Sequence, residues 1–213
     1  MIQAVIFDCD GVLVDSEHLT NRVICENLAA RGLEWTEDVI MDRFVGGTMT
    51  AVGQAAAQAG ARIEENWVSA IYEEMYAVLA KEVTEVAGVT DLLNWLDAQG
   101  IPYAVGSNGT MRKMLVTLGR CGLTDRLDGR LLSAQEVGAS KPAPDVYLAA
   151  AKLLGVEPSQ AVVVEDSATG ARAARAAGMT CYGYAPEDDG AKLAAVGAVP
   201  FHAMRDLPAL LRP

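Results

Sequence analysis

Basic side chains are scarce in this sequence. Its 213 residues hold 17 Lys and Arg against 28 Asp and Glu, a formal net charge of −11. No basic run stands ready to grip a polyanion, so neither nucleic acid nor an anionic membrane is an expected partner. A small phosphorylated molecule is not excluded, because a bound cation and one or two lysines can neutralise it locally. Cysteines are few as well: Cys9, Cys25, Cys121 and Cys181 are scattered, and none stands in C-x-x-C spacing. They read as free thiols in a reducing compartment, with no disulfide or zinc site. No apolar stretch approaches the roughly 20 residues of a spanning helix. The opening residues lack a basic segment followed by an apolar one, so no secretory signal and a cytoplasmic protein are expected. What is present, 51% hydrophobic and 21% charged residues, suits a globular chain with one ample core or a core with a smaller insert.

The pattern changes twice along the chain. Ala4-Val5-Ile6-Phe7 is a short apolar run, like a strand buried on both faces. From Ser16 to about residue 81 only helical patterns follow. "SEHLTNRVICENLAARG" places Leu19, Val23, Ile24 and Leu28 at helical spacing, with Ser16 as N-cap and Gly32 as stop. From residue 86 strands and helices alternate: "GVTDLLNWLDAQG", "IPYAVGSNG", "TMRKMLVTLGRCG", the short strand "GRLLSAQEV", the proline-led helix "KPAPDVYLAAAKLLGV", the buried strand "QAVVVEDSATG", "ARAARAAG" and "TCYGYA". "VPFHAM" reads as a last edge strand and "DLPALL" as a terminal helix. Alternation of this kind predicts an α/β fold, a doubly wound parallel sheet with helices on both faces. Residues 1–14 and 86–213 would form it, and 15–85 an inserted all-helical domain. Trp67, Tyr72 and Tyr76 of the insert read as its internal core rather than as a contact patch.

In open α/β sheets ligands bind beyond the carboxyl ends of the strands, and polar residues collect there four times. Asp8 and Asp10 follow the first strand on one side of the extended chain, where two carboxylates repel and need an offsetting cation, proton or reaction. Ser107-Asn108-Gly109 ends the second α/β strand, Ser140-Lys141-Pro142 precedes a helix, and Glu165-Asp166-Ser167 ends the "AVVV" strand. Each has a plain structural alternative: Asp166 as a turn or cap residue, Lys141 as a solvated charge, Ser107-Asn108-Gly109 as a turn, and Asp15-Ser16 as a helix cap. Converging on one sheet edge, they form instead a set of groups for an anionic ligand carried with a metal.

"DCDGVLVDS", Ser107, Lys141 and "VVVEDSATG" resemble, in order and spacing, the four motifs of the haloacid dehalogenase superfamily, and the likeness covers essentially the whole chain. It implies a Rossmann-like core with a helical cap and an aspartyl-phosphate mechanism. By that likeness Asp8 is the nucleophile, Asp10 the general acid and base, Ser107 a phosphoryl-binding hydroxyl and Lys141 the charge-balancing ammonium. Mg²⁺ is implied at Asp8, the Asp10 carbonyl and Asp166, with Glu165 near or in its shell. The segment "ASKPAPDVYLAAAKLLGV" is similar to that of β-phosphoglucomutases and sugar-phosphate phosphatases.

The presence of Asp10 disfavours carbon–halogen cleavage. Mutases of the β-phosphoglucomutase type offer a Lys before the first cap-loop Gly and an Arg three residues after. Here Val45 and Met49 stand at those positions, so hydrolysis is preferred over the mutase alternative. A non-enzymatic receiver-like switch is a remoter alternative, because receivers are shorter and carry their acceptor on a middle strand. The likeness extends to phosphatases of small phosphorylated sugars and sugar acids such as 6-phosphogluconate. Glu17, His18, Arg43, Gly46, Gly47, Thr48 and Asn108 are the candidates for facing that small phosphorylated metabolite, with His18 also readable as a surface residue of the first cap helix. The cap is expected to move about crossings near residues 15 and 85. A monomer or weak homodimer is expected.

Overall fold

The computed structural model describes residues 2–44 and 48–211, and divides into two compact units. One comprises the segments up to Asp15 and from Thr84, and the other is Ser16–Val83. The sequence expectation set the crossings at slightly different residues. Val14–Asp15 (β2) pairs antiparallel with Thr84–Glu85 (β3), which binds both crossing segments to the first unit. No described helix is long and apolar enough to cross a membrane.

The first unit is built on six parallel strands: Ala4–Phe7 (β1), Tyr103–Ser107 (β4), Leu131–Ser133 (β5), Ala161–Glu165 (β6), Thr180–Tyr184 (β7) and Val199–Phe201 (β8), in spatial order β5-β4-β1-β6-β7-β8. The expected doubly wound parallel sheet is present. β1, β4 and β6 are buried along their whole length, which suits the apolar residues that lead up to their carboxyl ends. The edge strands β5 and β8 are partly open. From β1 the chain builds outward through β4 to β5, then crosses to the other side of β1 for β6. That reversal places a crevice at the carboxyl ends of the central strands.

The unit's helices are Val89–Gln99 (α5), Met111–Arg120 (α6), Ala134–Val137 (α7), Asp145–Leu154 (α8), Ala168–Ala176 (α9), Ala191–Ala194 (α10) and Leu207–Leu211 (α11). One expectation needs correction: "GRLLSAQEV" is strand only through Ser133, and Ala134–Val137 turns helical. Small side chains set the distance between helices and sheet. Ala4, Ala104, Ala161, Ala171, Ala173 and Ala174 share a buried cluster with Val146 and Tyr147. At Gly106, inside β4, a β-carbon would lie 3.2 Å from Val146 and 3.3 Å from the Tyr147 ring. The missing side chain there lets α8 approach the strand end.

The second unit consists of Glu17–Ala29 (α1), Glu37–Phe44 (α2), Met49–Gln58 (α3) and Trp67–Glu82 (α4). Among its described residues the regular elements are all helices. Val23, Ile24 and Leu28 of α1 pack with Trp67, Ile71 and Met75 of α4 in one core, as their helical spacing requires. Ser16 occupies the N-cap position of α1, but its side chain makes no capping bond. Trp67 is wholly internal and Tyr76 buried. The buried Asn27 accepts from the Trp67 indole N–H at 2.7 Å and donates to Glu74 Oε2 at 2.7 Å. α3 lies against Trp67 at Gly53, where a β-carbon would come within 2.9 Å of the indole.

Asn27→Leu would strand that indole N–H in an apolar core, where a buried unsatisfied donor costs about 1–3 kcal/mol. Urea denaturation should show a loss of that size; an unchanged midpoint would mean the bond contributes nothing net.

Candidate active site

Three adjacent central strands deliver the polar groups to one edge. Asp8 directly follows β1, Ser107 ends β4, and Glu165 ends β6 with Asp166 after it. Asp8 is fixed by its backbone N–H, which donates to the Val164 carbonyl at 2.9 Å. Lys141 arrives from the loop before α8.

The centre of the arrangement is the Lys141 ammonium, which donates to Asp8 Oδ1 at 2.6 Å and to Glu165 Oε1 at 2.8 Å. All three residues are buried, Asp8 to 8% exposure, Lys141 to 6% and Glu165 to 1%. The ammonium also lies 4.7 Å from the Tyr147 ring centroid, a favourable cation–π distance. Glu165 is held on every side. Its Oε1 also accepts from the Tyr147 hydroxyl at 2.9 Å, and its Oε2 accepts from the Ser167 N–H and hydroxyl, both at 2.8 Å. Burial raises its pKa, but Lys141 and the Ser167 bonds outweigh this and hold it below the ordinary carboxylate value.

Asp8 has no such set of donors. Burial raises its pKa from 3.8 to about 7, opposed by Lys141 and reinforced by the charges of Glu165 and Asp10. Lys141 loses some basicity to burial, yet the two carboxylates raise it well above its ordinary value. One cation between two buried anions leaves negative charge in excess.

Glycines shape the floor. Gly11 has φ +75°, and a β-carbon there would sit 1.8 Å from Asp166 Oδ2. A β-carbon on Gly170, in the first turn of α9, would sit 1.6 Å from Glu165 Oε1. Both carboxylates therefore rest directly on backbone.

Asp8, Glu165 and Asp166 each offer a carboxylate oxygen, and these lie within 4.8 Å of one another. Hard oxygen donors around surplus negative charge fit a small divalent cation. The four hydrogen bonds to Glu165 suit a place beside such an ion, with Asp8 and Asp166 offering their oxygens to it.

Asn108 has a structural task beside the substrate-facing place expected of it. Its Oδ1 accepts from the Lys141 N–H at 2.8 Å and its Nδ2 donates to the Lys141 carbonyl at 3.4 Å, so the amide clamps the loop that carries the lysine. The Ser107 hydroxyl accepts from the Gly109 N–H at 2.9 Å. In the helical unit, Glu17 and His18 lie exposed in the first turn of α1. Arg43 stacks on Trp35 at 5.6 Å. Thr48 caps α3 by accepting from the Ala51 N–H at 3.2 Å. Gly46 and Gly47 lie outside the described residues.

Two contributors escaped the sequence reading. Tyr147 sits on the buried face of α8, and a tyrosine so placed must find a partner for its hydroxyl. Lys113, in the first turn of α6, bonds Asp10 Oδ1 at 2.9 Å. Its place six residues after Ser107, where a helix starts at the strand end, was the available signal. The four cysteines are free, Cys9 and Cys181 buried and the other two partly so, as expected.

A family model of haloacid dehalogenase-like hydrolases matches residues 2–178, and the chain belongs to that family. It is similar to the phosphorylated carbohydrates phosphatase of Thermotoga maritima, 32% identical over 203 residues covering 93% of each protein. It is 33% identical over 187 residues to Protein SUPPRESSOR OF QUENCHING 1, chloroplastic, of Arabidopsis thaliana; the match takes in 84% of this chain but only 17% of that protein. Among solved structures it is similar to a HAD family hydrolase from Deinococcus radiodurans R1 with bound phosphate and sodium. That match has a TM-score of 0.84 and 34% identity, covering 99% of this chain and 95% of that one.

A carboxyl whose folded pKa lies above its unfolded value binds protons on folding, so it removes stability as pH rises through that interval. For metal-free protein in EDTA, Asp8 should lower stability between about pH 4 and pH 7. Glu165, shifted the other way, gives stability lost only in more acid solution. Asp8→Asn should abolish the fall toward pH 7 and be the more stable protein there. Equal urea midpoints for both proteins across that range would contradict the buried-charge reading.

Proposed function

We propose that the chain is a metal-dependent phosphatase that hydrolyses a small phosphorylated sugar or sugar acid through an aspartyl-phosphate on Asp8. The supporting observation is the buried Asp8–Lys141–Glu165 triad at the carboxyl end of β1, with Asp10 two residues on. A carboxylate held against a buried ammonium is oriented for attack, and the ammonium stays to meet the phosphoryl charge.

Asp8 attacks phosphorus, forming an Asp8–O–P bond as the bond to the leaving alcohol breaks, and Asp10 gives the alcohol its proton. Asp10 then takes a proton from water, whose oxygen attacks phosphorus and releases Asp8 and inorganic phosphate. The Ser107 hydroxyl and the backbone beyond β4 hold the phosphoryl oxygens. Asp8 and Asp166, with the Asp10 carbonyl and with Glu165 alongside, would hold Mg²⁺. When bound, the ion supplies positive charge to the phosphoryl oxygens, which is the main demand of a loose phosphoryl transfer. The T. maritima relative's name supports the sugar-phosphate class. Val45 and Met49, in place of the cap-loop cations expected of a mutase, favour hydrolysis. A cytoplasmic location suits free thiols and a metabolite of this kind.

The test is phosphate release from a panel of sugar phosphates, sugar-acid phosphates and phosphoglycolate, in Mg²⁺ and in EDTA. Release should require Mg²⁺ and fall by at least about 10³-fold in Asp8→Asn, since a covalent step loses its nucleophile. Release unaffected by the mutation or by EDTA would overturn the proposal.

A further inference from the structure

The two motif carboxylates that repel each other each have their own lysine. Lys141 holds Asp8, and Lys113 Nζ bonds Asp10 Oδ1 at 2.9 Å, the two side chains being 16% and 18% exposed. This second pair is distinct from the first: Lys113 is carried by helix α6, Lys141 by a loop, and the second pair involves neither Glu165 nor Tyr147.

Lys113 is mounted rigidly. Its N–H donates to the Thr110 hydroxyl at 3.1 Å, which caps α6, and its carbonyl accepts from the Thr117 hydroxyl at 3.1 Å. α6 itself starts where β4 ends, so the lysine's anchor is tied to the strand that carries Ser107. Gly109 occupies the space between these groups. A β-carbon there would lie 3.2 Å from Ser107 Oγ, 3.5 Å from Asp10 Oδ2 and 3.7 Å from Lys113 Cδ. Asp10, Ser107 and the lysine stem are therefore packed around one bare backbone position. A side chain on a helix first turn, with its backbone bonded at both ends, is a firmer support than one on a loop.

We infer that Lys113 is a positioning residue that fixes the Asp10 carboxyl group toward the leaving-group oxygen. The inference rests on the reading of Asp10 as the acid and base, and it assigns the lysine no contact with substrate. A proton donor displaced by about an ångström loses most of its effect. Loss of the lysine should therefore weaken catalysis where a proton is needed and spare it where none is.

Single-turnover rates with two substrates separate these cases. p-Nitrophenyl phosphate has a leaving group that departs without a proton, whereas the sugar phosphate turned over fastest in the panel needs one. In Lys113→Met the ratio of the first rate to the second should rise by about tenfold or more, and Lys113→Arg should recover part of it. Asp10→Asn should raise the ratio by about 10²–10⁴-fold, the range of general acid catalysis. A ratio unchanged in Lys113→Met but raised in Asp10→Asn would overturn the role of the lysine while leaving the acid intact. A common rise in KM for both substrates, with the ratio unchanged, would also overturn it and make the lysine a substrate contact. A ratio unchanged in Asp10→Asn would locate the failure in the acid assignment itself. Should Lys113→Met not fold, Lys113→Gln carries the same comparison.

Discussion

One buried ammonium, shared by two carboxylates, organises the α/β unit's functional edge. Lys141 meets Asp8 from β1 and Glu165 from β6, and so ties neighbouring strands together at the position where the chain reverses its direction of growth through the sheet. Removing the shared ammonium from such a buried group would cost about 3–5 kcal/mol, because two like charges would stay behind unpaired. Glu165 is better served than Asp8. It also receives Tyr147 and two bonds from Ser167, whereas Asp8 receives Lys141 and faces two like charges. The asymmetry suits different tasks: a fixed anion that holds the lysine, and a second anion whose charge is costly until something arrives to share it.

The geometry depends on what is missing as much as on what is present. Gly11 and Gly170 let Asp166 and Glu165 lie on bare backbone, and Gly106 lets α8 come close enough for Tyr147 to reach Glu165. Alanines perform the same service through the core beneath. In a closely packed interior there is no room to restore those side chains without moving the groups they now support.

Much of this could be read from the chain before any coordinates. Unbroken apolar runs at 4–7 and 161–164, short and bounded by turn residues, suit strands buried on both faces, and polar residues directly after them fall at the sheet's carboxyl edge. That logic located Asp8, Ser107, Glu165 and Asp166. Lys141 entered as part of a polar cluster before a helix, and its charge-balancing role came from the resemblance alone. Asn108 was read only for a ligand, whereas its amide also holds the Lys141 backbone through two bonds. Thr48, also read for a ligand, caps a helix as well. Tyr147 and Lys113 were missed because each acts through another side chain. Sequence spacing states which residues share a face; it does not state which side chain on a neighbouring element each will meet.

The account stands or falls on Asp8 as the atom that takes the phosphoryl group. The most direct measurement is to quench the enzyme with acid during turnover of its best sugar phosphate, reduce with borohydride, and locate the modified residue by peptide mass spectrometry. An acyl phosphate is reduced where a free carboxylate is not, so Asp8 alone should be converted to homoserine, and only when substrate was present. An unmodified Asp8, or modification at another residue, would contradict the account.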